Sequence, residues 1–169
     1  MTLAELKDGA TIFLDSNVLI YHFGGQSPQC TTLLRRCEHR ELECATSALV
    51  LAEVCHRLMT LEALERGLLA RGNIGRKLGE HPELVRQLSR YQAALDSISS
   101  MRVAVLDLTE SLLESGLRLQ SRYGLLTNDS LIVATMLQAG IRTIASADQR
   151  LANVTDVELA VPTDLPILH

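Results

Sequence analysis

The chain lacks tryptophan and has few aromatic residues, three Tyr and two Phe among 169. Hydrophobic residues make up 47% and are mainly aliphatic; with 21% charged residues, this is the composition of a folded globular domain. No apolar run is long enough to span a membrane. The first residues also lack the basic start and apolar stretch of a signal peptide, so we expect a cytoplasmic protein with no membrane contact.

Lysine is also scarce. The net charge is −4, and lysine occurs only at Lys7 and Lys77, so the basic residues are almost all arginine. A negative total argues against a protein that binds nucleic acid through its overall charge. It does not exclude an acidic site whose charge a metal ion cancels. The abundance of arginine fits forked phosphate contacts, and it fits simple codon preference equally well.

The four cysteines show no metal-binding pattern. They include no C-x-x-C pair and no histidine at zinc-finger spacing. Cys30 and Cys37 lie seven residues apart on a predicted helix and should share one face. We expect these two, Cys44 and Cys55 to be buried free thiols in a reducing compartment, rather than metal ligands or disulfide partners.

Short apolar strands alternate with helices along the chain. The residue pattern predicts strands at 11–14, 43–46, 103–106, 141–145 and 157–161. It predicts helices at about 16–23, 28–40, 48–60, 110–122 and 129–139, the last of them apolar nearly all round and therefore buried. This alternation favours an α/β fold with a mainly parallel sheet.

Residues 62–100 differ from the rest because they are helical in composition but interrupted by four glycines. We predict a single domain, residues 1–169, in which 62–100 form a helical arm inserted between the second and third strands. Pro82 should open one continuous amphipathic helix. Its apolar stripe is predicted to contain Leu84, Leu88, Tyr91, Leu95 and Ile98.

Four acidic residues fall where a parallel sheet would bring them together. Asp15 follows the first strand and Asp148 follows the fourth, at carboxyl ends that share one edge of the sheet. Asp129 starts the buried helix that leads into the fourth strand. Glu53 lies in an apolar stretch about 9 Å along the helix that Ser47 begins.

Carboxylates grouped in this way raise one another's pKa unless a cation offsets their charge. Oxygen ligands of this kind favour Mg²⁺ or Mn²⁺. Taken singly, Asp129 could be an ordinary acid in the first turn of a helix, and Asp148 could be a turn residue. The joint pattern predicts a metal site that contains all four acids.

The same segments resemble the motifs of the PIN-domain family. Asp15-Ser16-Asn17 after its strand resembles the first motif, Ser47 through Glu53 the second, Asn128-Asp129 the third and Ser146-Ala147-Asp148 the fourth. The order agrees, and the resemblance covers nearly the whole chain. It implies a three-layer α/β/α sandwich with a central sheet of about five strands. Ser16, Asn17 and Ser146 match positions that support the acids.

The resemblance also implies a function. Members of this family are Mg²⁺- or Mn²⁺-dependent nucleases that usually act on RNA, so Asp15, Glu53, Asp129 and Asp148 are expected to be both metal ligands and catalytic residues. Many small bacterial members are VapC-like toxins, which implies an antitoxin protein as partner and a homodimer. The reaction expected is hydrolysis of an RNA phosphodiester bond.

Two other functions fit some of these residues. One is a non-catalytic PIN-fold module that binds nucleic acid or protein. The other is a phosphatase with Asp15 as nucleophile, although Asn17 stands where many such enzymes have an acid/base aspartate.

The predicted arm is longer than in the compact toxins of the family. It carries Arg71, Arg76 and Lys77, which are candidates for a basic rim that binds RNA beside the acidic groove. The alternative is a solvated helical hairpin.

Overall fold

The computed structural model describes residues 1–165 and contains one sheet of five parallel strands in the spatial order β3-β2-β1-β4-β5. The predicted mainly parallel sheet of about five strands is therefore confirmed. Each strand lies inside its predicted range, except that β2 is one residue longer. Residues 166–169 of the predicted domain lie outside the described residues. The strands are β1 Thr11–Leu14, β2 Glu43–Ser47, β3 Ala104–Leu106, β4 Thr143–Ala145 and β5 Glu158–Ala160.

The helices between the strands begin largely where the sequence supplies caps. Ser27 accepts a hydrogen bond from the Cys30 N–H at the start of α2, and Ser47 accepts one from the Val50 N–H at the start of α3. The helices are α1 Ser16–Phe23, α2 Pro28–Glu38, α3 Ala48–Glu65, α4 Ile74–Glu80, α5 Pro82–Val85, α6 Arg90–Ser100, α7 Glu110–Tyr123 and α8 Thr127–Gln138.

The strand order fixes the layers. From β1 the chain moves to β2 and then β3 on one side, and it returns across the sheet to β4 and β5 on the other. Right-handed crossovers then place α1 to α6 on one face of the sheet and α7 and α8 on the opposite face. The helix contacts agree, because α3 packs on α1 and α6, and α7 packs on α8. The fold is a three-layer α/β/α sandwich.

The core lies on both sides of β1. Ile12, Phe13 and Leu14 have no exposed surface, as expected for a central parallel strand covered by helices on both faces. The helix predicted to be buried is α8, whose residues 130–136 are all buried. Within the described residues, no helix is both long enough and apolar enough to cross a membrane.

The single helix predicted to start at Pro82 is wrong. The chain forms α5, breaks over residues 86–89 and restarts as α6. The break occurs because the buried carboxylate of Glu62 accepts hydrogen bonds from the backbone N–H groups of Ser89 and Arg90, which fixes a new helix start there.

The predicted apolar stripe is accordingly divided between two clusters. Leu84 and Leu88 pack into a small cluster with Ala63 and the α4 side chains, whereas Ile98 packs into the main core. The residues of the arm and the second half of α3 therefore form a small hydrophobic cluster that is separate from the main core. Helix α3 itself runs to Glu65 rather than ending near residue 60.

The expectation of four free buried thiols is also wrong. Cys37, in the last turn of α2, and Cys44, on β2, are joined by a disulfide with a Cα–Cα distance of 5.7 Å. The loop of residues 39–42 between them brings the end of the helix over the strand, a proximity that sequence spacing does not reveal. Cys30 is free and buried, and Cys55 is free but only partly buried.

Candidate active site

The acidic cavity, as we call the pocket at the carboxyl edge of the sheet, lies where the strand order reverses. The connections leave β1 on one side and reach β4 on the other, so the ends of these two strands form the crevice in which open α/β sheets bind ligands. The cavity has a volume of about 250 Å³. Its lining includes the four predicted acids, Asp15, Glu53, Asp129 and Asp148.

Asp15 is the most deeply placed of these acids, with 6% of its surface exposed. It directly follows β1 and caps α1, because its Oδ1 accepts a hydrogen bond from the Ser16 N–H at 2.7 Å. Its Oδ2 accepts from the Ser146 hydroxyl at 2.6 Å and from the Asn17 amide. The carboxylate is therefore fixed in position by neutral donors.

Asn17 and Ser146 join the two strand ends. The Asn17 side chain donates from Nδ2 to Ser146 Oγ at 2.9 Å and accepts at Oδ1 from the Ala147 N–H at 2.8 Å. Ser146 Oγ also accepts from the Asp148 N–H at 2.9 Å. The loop after β4 is thereby tied to the loop after β1, and the predicted supporting residues lie in direct contact with the acids.

Asp129 and Asp148 share contacts with one arginine, Arg150, which sequence reasoning did not single out. Asp129 is the third residue of α8, and Asp148 begins the short 3-10 helix Gln149–Asn153. Arg150 binds both oxygens of Asp148, with its Nε 3.0 Å from each, and its Nη2 lies 3.4 Å from Asp129 Oδ2.

Glu53 reaches the cavity from the second turn of α3, and Arg57 lines the cavity one turn later on the same helix. Tyr21 lines it from α1, one turn beyond Asn17. Arg57 and Tyr21 were also missed by sequence reasoning. Their spacing of four residues from Glu53 and Asn17 was the available signal, since residues at i and i+4 share a helix face.

The electrostatics of the cavity are uneven. Burial is the main cause of the raised pKa of Asp15, and the nearby charges of Glu53 and Asp129 add to it. Burial also raises the pKa of Asp129, with a further contribution from Asp148 and an opposing one from Arg150. By contrast, hydrogen bonds from Arg150 hold the pKa of Asp148 below its usual value.

The donor set suits a hard divalent cation. Every predicted ligand is a carboxylate, and two of the four carry a raised pKa, which means that their ionised forms lack full compensation. In residues 1–165, no three acidic, thiol or imidazole side chains converge closely enough to enclose an ion as they stand. Side-chain movement would therefore be needed for the four acids to enclose an ion, and Arg150 occupies both oxygens of Asp148 in this structure.

The two histidines near the motifs have packing roles. His22 Nδ1 lies 3.0 Å from Thr31 Oγ1, and its ring contacts Phe23. His56 packs against Gly75 on α4, where an added Cβ would lie 2.9 Å from the imidazole ring. This contact brings α4 against α3 about one turn beyond Glu53.

The three candidate rim residues have different contacts. Lys77 Nζ donates to the carbonyl oxygens of Ala70 and Arg71 at 2.9 and 3.1 Å, so it closes the loop before α4. Arg76 pairs with Glu80 at 3.0 Å and remains well exposed. Arg71 is exposed. Lys77 therefore has a structural function that sequence reasoning did not predict.

The fold and site together define a class: a three-layer α/β/α protein with an acidic crevice at the switch point of its sheet. The family model described as "PIN domain" matches residues 12–157, which is most of the chain. This protein belongs to the PIN domain family.

Similar proteins agree with that assignment. Ribonuclease VapC2 of Methanocaldococcus jannaschii is 27% identical over 148 residues, covering 88% of this chain and 91% of the relative. Among solved structures, a chain of Rickettsia felis VapBC2 bound to a promoter DNA fragment superposes with a TM-score of 0.59 at 16% identity, covering 90% of this chain and 98% of that one. Mycobacterium tuberculosis VapC20, described as a sarcin-ricin loop cleaving toxin, gives 0.57 at 20%, covering 88% and 98%.

Proposed function

We propose that this protein is a Mg²⁺- or Mn²⁺-dependent endoribonuclease that hydrolyses RNA phosphodiester bonds in the acidic cavity. The observation that carries this proposal is the buried Asp15 carboxylate, which neutral donors hold among other acids. Membership of the PIN domain family and the similarity to Ribonuclease VapC2 support the same activity.

Each acid has a defined place in this proposal. Asp15, Glu53, Asp129 and Asp148 would hold the ion, and Ser16, Asn17 and Ser146 keep Asp15 and the Asp148 loop in position. A bound divalent ion would activate water for attack and stabilise negative charge on the phosphate. Arg57 is positioned on the same cavity to attract the phosphate backbone.

The binding-module alternative is less well supported. A scaffold without catalysis gives no reason to bury Asp15 beside Glu53 and Asp129, because that arrangement disfavours the ionised carboxylate. The phosphatase alternative meets a further difficulty: both ends of the Asn17 amide are occupied, one by Asp15 and Ser146 and the other by the Ala147 N–H. Asn17 is thus a bridge between loops rather than an acid or base.

For partners, we propose RNA as substrate, an antitoxin protein as inhibitor, and a second copy of this chain. The chain is similar to components of toxin–antitoxin structures, such as one from Klebsiella pneumoniae with a TM-score of 0.57 at 16% identity. Leu113 and Leu117 lie one turn apart on α7 with 45% and 61% of their surfaces exposed, which supports a protein contact on that helix. We expect the protein to act in the cytoplasm.

The direct test is cleavage of single-stranded RNA by the purified protein with Mg²⁺ or Mn²⁺ and with excess EDTA. We expect cleavage only with the ion, and its return when the ion is added back. Cleavage that persists in EDTA would remove the metal mechanism. Cleavage that is absent in both conditions, with metal bound, would favour the binding module.

A further inference from the structure

Arg150 places a positive charge inside the acidic cavity. Its guanidinium contacts both oxygens of Asp148 and reaches Asp129 Oδ2 at 3.4 Å. These two acids stand on different elements, the start of the 3-10 helix and the first turn of α8. A single side chain thus connects two of the four carboxylates across the cavity.

We propose that Arg150 is an internal counter-ion of the acidic cavity, which a divalent cation must displace from Asp148 and Asp129 when it binds. This inference rests on the proposed metal-dependent function. The guanidinium group of Arg150 binds both oxygens of Asp148, and a cation bound to Asp148 would need the same oxygens. An arginine cannot yield by losing its proton, so it must move.

The position of Arg150 makes such movement feasible. Its side chain is 62% exposed, whereas those of Asp129 and Asp148 are 24% and 22% exposed. Ion pairs of exposed side chains are weak, because water solvates the released charge and the long side chain regains its freedom. The two acids are the less exposed partners, and the more exposed arginine is the one that can leave.

Two consequences follow. In the metal-free protein, Arg150 offsets the repulsion between Asp129 and Asp148, so it should stabilise the fold. In the presence of metal, it competes for the same oxygens, so it should lower the affinity for the ion. Arg150 would therefore help to set the metal concentration at which the cavity becomes loaded.

The test uses Mn²⁺ alone as the probe on the full chain, with Arg150→Gln, Arg150→Lys and the control Arg122→Gln. Arg122 is a matched control because it is 65% exposed and pairs with Asp156 at 3.6 Å, away from the cavity. Calorimetric titration should show Arg150→Gln binding Mn²⁺ roughly fivefold more tightly than the wild type, as expected for loss of a competing surface ion pair. Arg122→Gln should bind it as the wild type does.

Arg150→Lys separates displacement from simple charge. Lysine keeps the charge but cannot fork onto both Asp148 oxygens, so displacement predicts an affinity between those of the wild type and Arg150→Gln. If charge alone mattered, the lysine variant would match the wild type.

Melting temperatures give a second readout that needs no activity. In EDTA, Arg150→Gln should melt below the wild type, and saturating Mn²⁺ should close that gap. The inference is overturned if the wild type and Arg150→Gln bind Mn²⁺ equally tightly and their melting temperatures differ by the same amount in EDTA and in Mn²⁺. Arg150 would then be a structural contact. If the wild type itself binds no Mn²⁺ in the cavity, the proposed function fails first.

Discussion

Two buried carboxylates, Asp15 in the acidic cavity and Glu62 beside the helical arm, differ in how their charges are met. Each residue is 6% exposed. Glu62 accepts hydrogen bonds from the Ser89 and Arg90 N–H groups at 3.0 and 2.9 Å and from Arg66 at 3.1 Å. Burial acting alone would raise the pKa of Glu62, but these donors outweigh it and lower the pKa.

Asp15 has the opposite balance. Burial raises its pKa, the hydrogen bonds from Ser146 and Ser16 oppose the rise, and the charges of Glu53 and Asp129 reinforce it. The comparison separates two uses of a buried acid. Where backbone N–H donors and an arginine compensate the negative charge, the acid has a structural role, as Glu62 holds α6 against α3. Where other acids lie nearby, as at Asp15, the ionised form lacks full compensation, which is the basis for the metal site proposed above.

The largest expected difference between the two acids is in catalysis. Asp15→Asn should reduce RNA cleavage about a thousandfold, because it removes a ligand and a charge from the cavity. Glu62→Gln should cleave at nearly the wild-type rate at a temperature where it is folded. Cleavage assays on both variants, with circular dichroism to establish folding, check this. A comparable loss in Glu62→Gln would show that the arm takes part in the reaction.

The effects on stability should have the reverse order, with a larger loss in Glu62→Gln than in Asp15→Asn. Glu62→Gln should destabilise the fold by about 2 kcal/mol and lower the melting temperature by roughly 4–8 °C, because the buried network loses its negative charge and one of its two acceptor oxygens. The matched control is Glu65→Gln, whose carboxylate pairs with Arg90 at 2.7 Å but is 56% exposed and should matter little. Denaturant unfolding in EDTA measures both. Equal effects would mean that burial of Glu62 adds nothing.

Acid pH should separate wild type from Glu62→Gln in a defined direction. A carboxyl whose pKa is lower in the folded than in the unfolded protein stabilises the fold at pH values above its unfolded-state pKa. This stabilisation is lost as the pH falls through the folded-state pKa. The stability gap between the proteins should therefore be constant near neutrality and shrink below the ordinary glutamate value of 4.5. Denaturant midpoints between pH 7 and 3 measure it, and a gap that widens in acid would contradict the assignment.

The smallest effect expected concerns the arm as an RNA rim. Arg71→Ala combined with Arg76→Ala should weaken RNA binding and reduce the slope of affinity against salt by roughly two, one for each lost phosphate contact. Lys77 is left intact because its ammonium closes the loop before α4. Binding is measured in the Asp15→Asn background to prevent cleavage.

A double substitution on the opposite face provides the control for the rim. Arg118→Ala with Arg122→Ala removes the same charge from α7. If both double variants change the slope equally, the charge of the whole protein matters and the arm is not a specific rim.

The sequence predicts the sheet and the convergence of the four acids on one cavity because both depend on local patterns; their roles in that cavity stay a prediction. One apolar run is followed by Asp15 and another by Ser146-Ala147-Asp148, and these residues mark the carboxyl ends of two strands. Parallel pairing then brings those ends to one edge of the sheet. What it missed depends on contacts between distant segments. The break before α6 requires Glu62 to meet Ser89 and Arg90 across 27 and 28 residues, and the Cys37–Cys44 disulfide depends on how a loop returns.

Arg150 shows the same limit within the site. Nothing in the spacing of Ser146-Ala147-Asp148-Gln149-Arg150 indicates that the arginine turns back onto Asp148 and reaches Asp129 on another helix. Sequence patterns indicate which elements carry charges, whereas the fold decides which charges meet.

The measurement that most directly tests the central claim is the stabilisation of three proteins by Mn²⁺: wild type, Asp129→Asn and Glu62→Gln. At a hundredfold excess over Kd, binding to the folded state should stabilise the wild type by about 2.7 kcal/mol. Glu62→Gln should gain the same increment from a lower starting stability, while Asp129→Asn should gain much less. Equal gains in wild type and Asp129→Asn would place the ion elsewhere and contradict the assignment of the acidic cavity as the metal centre.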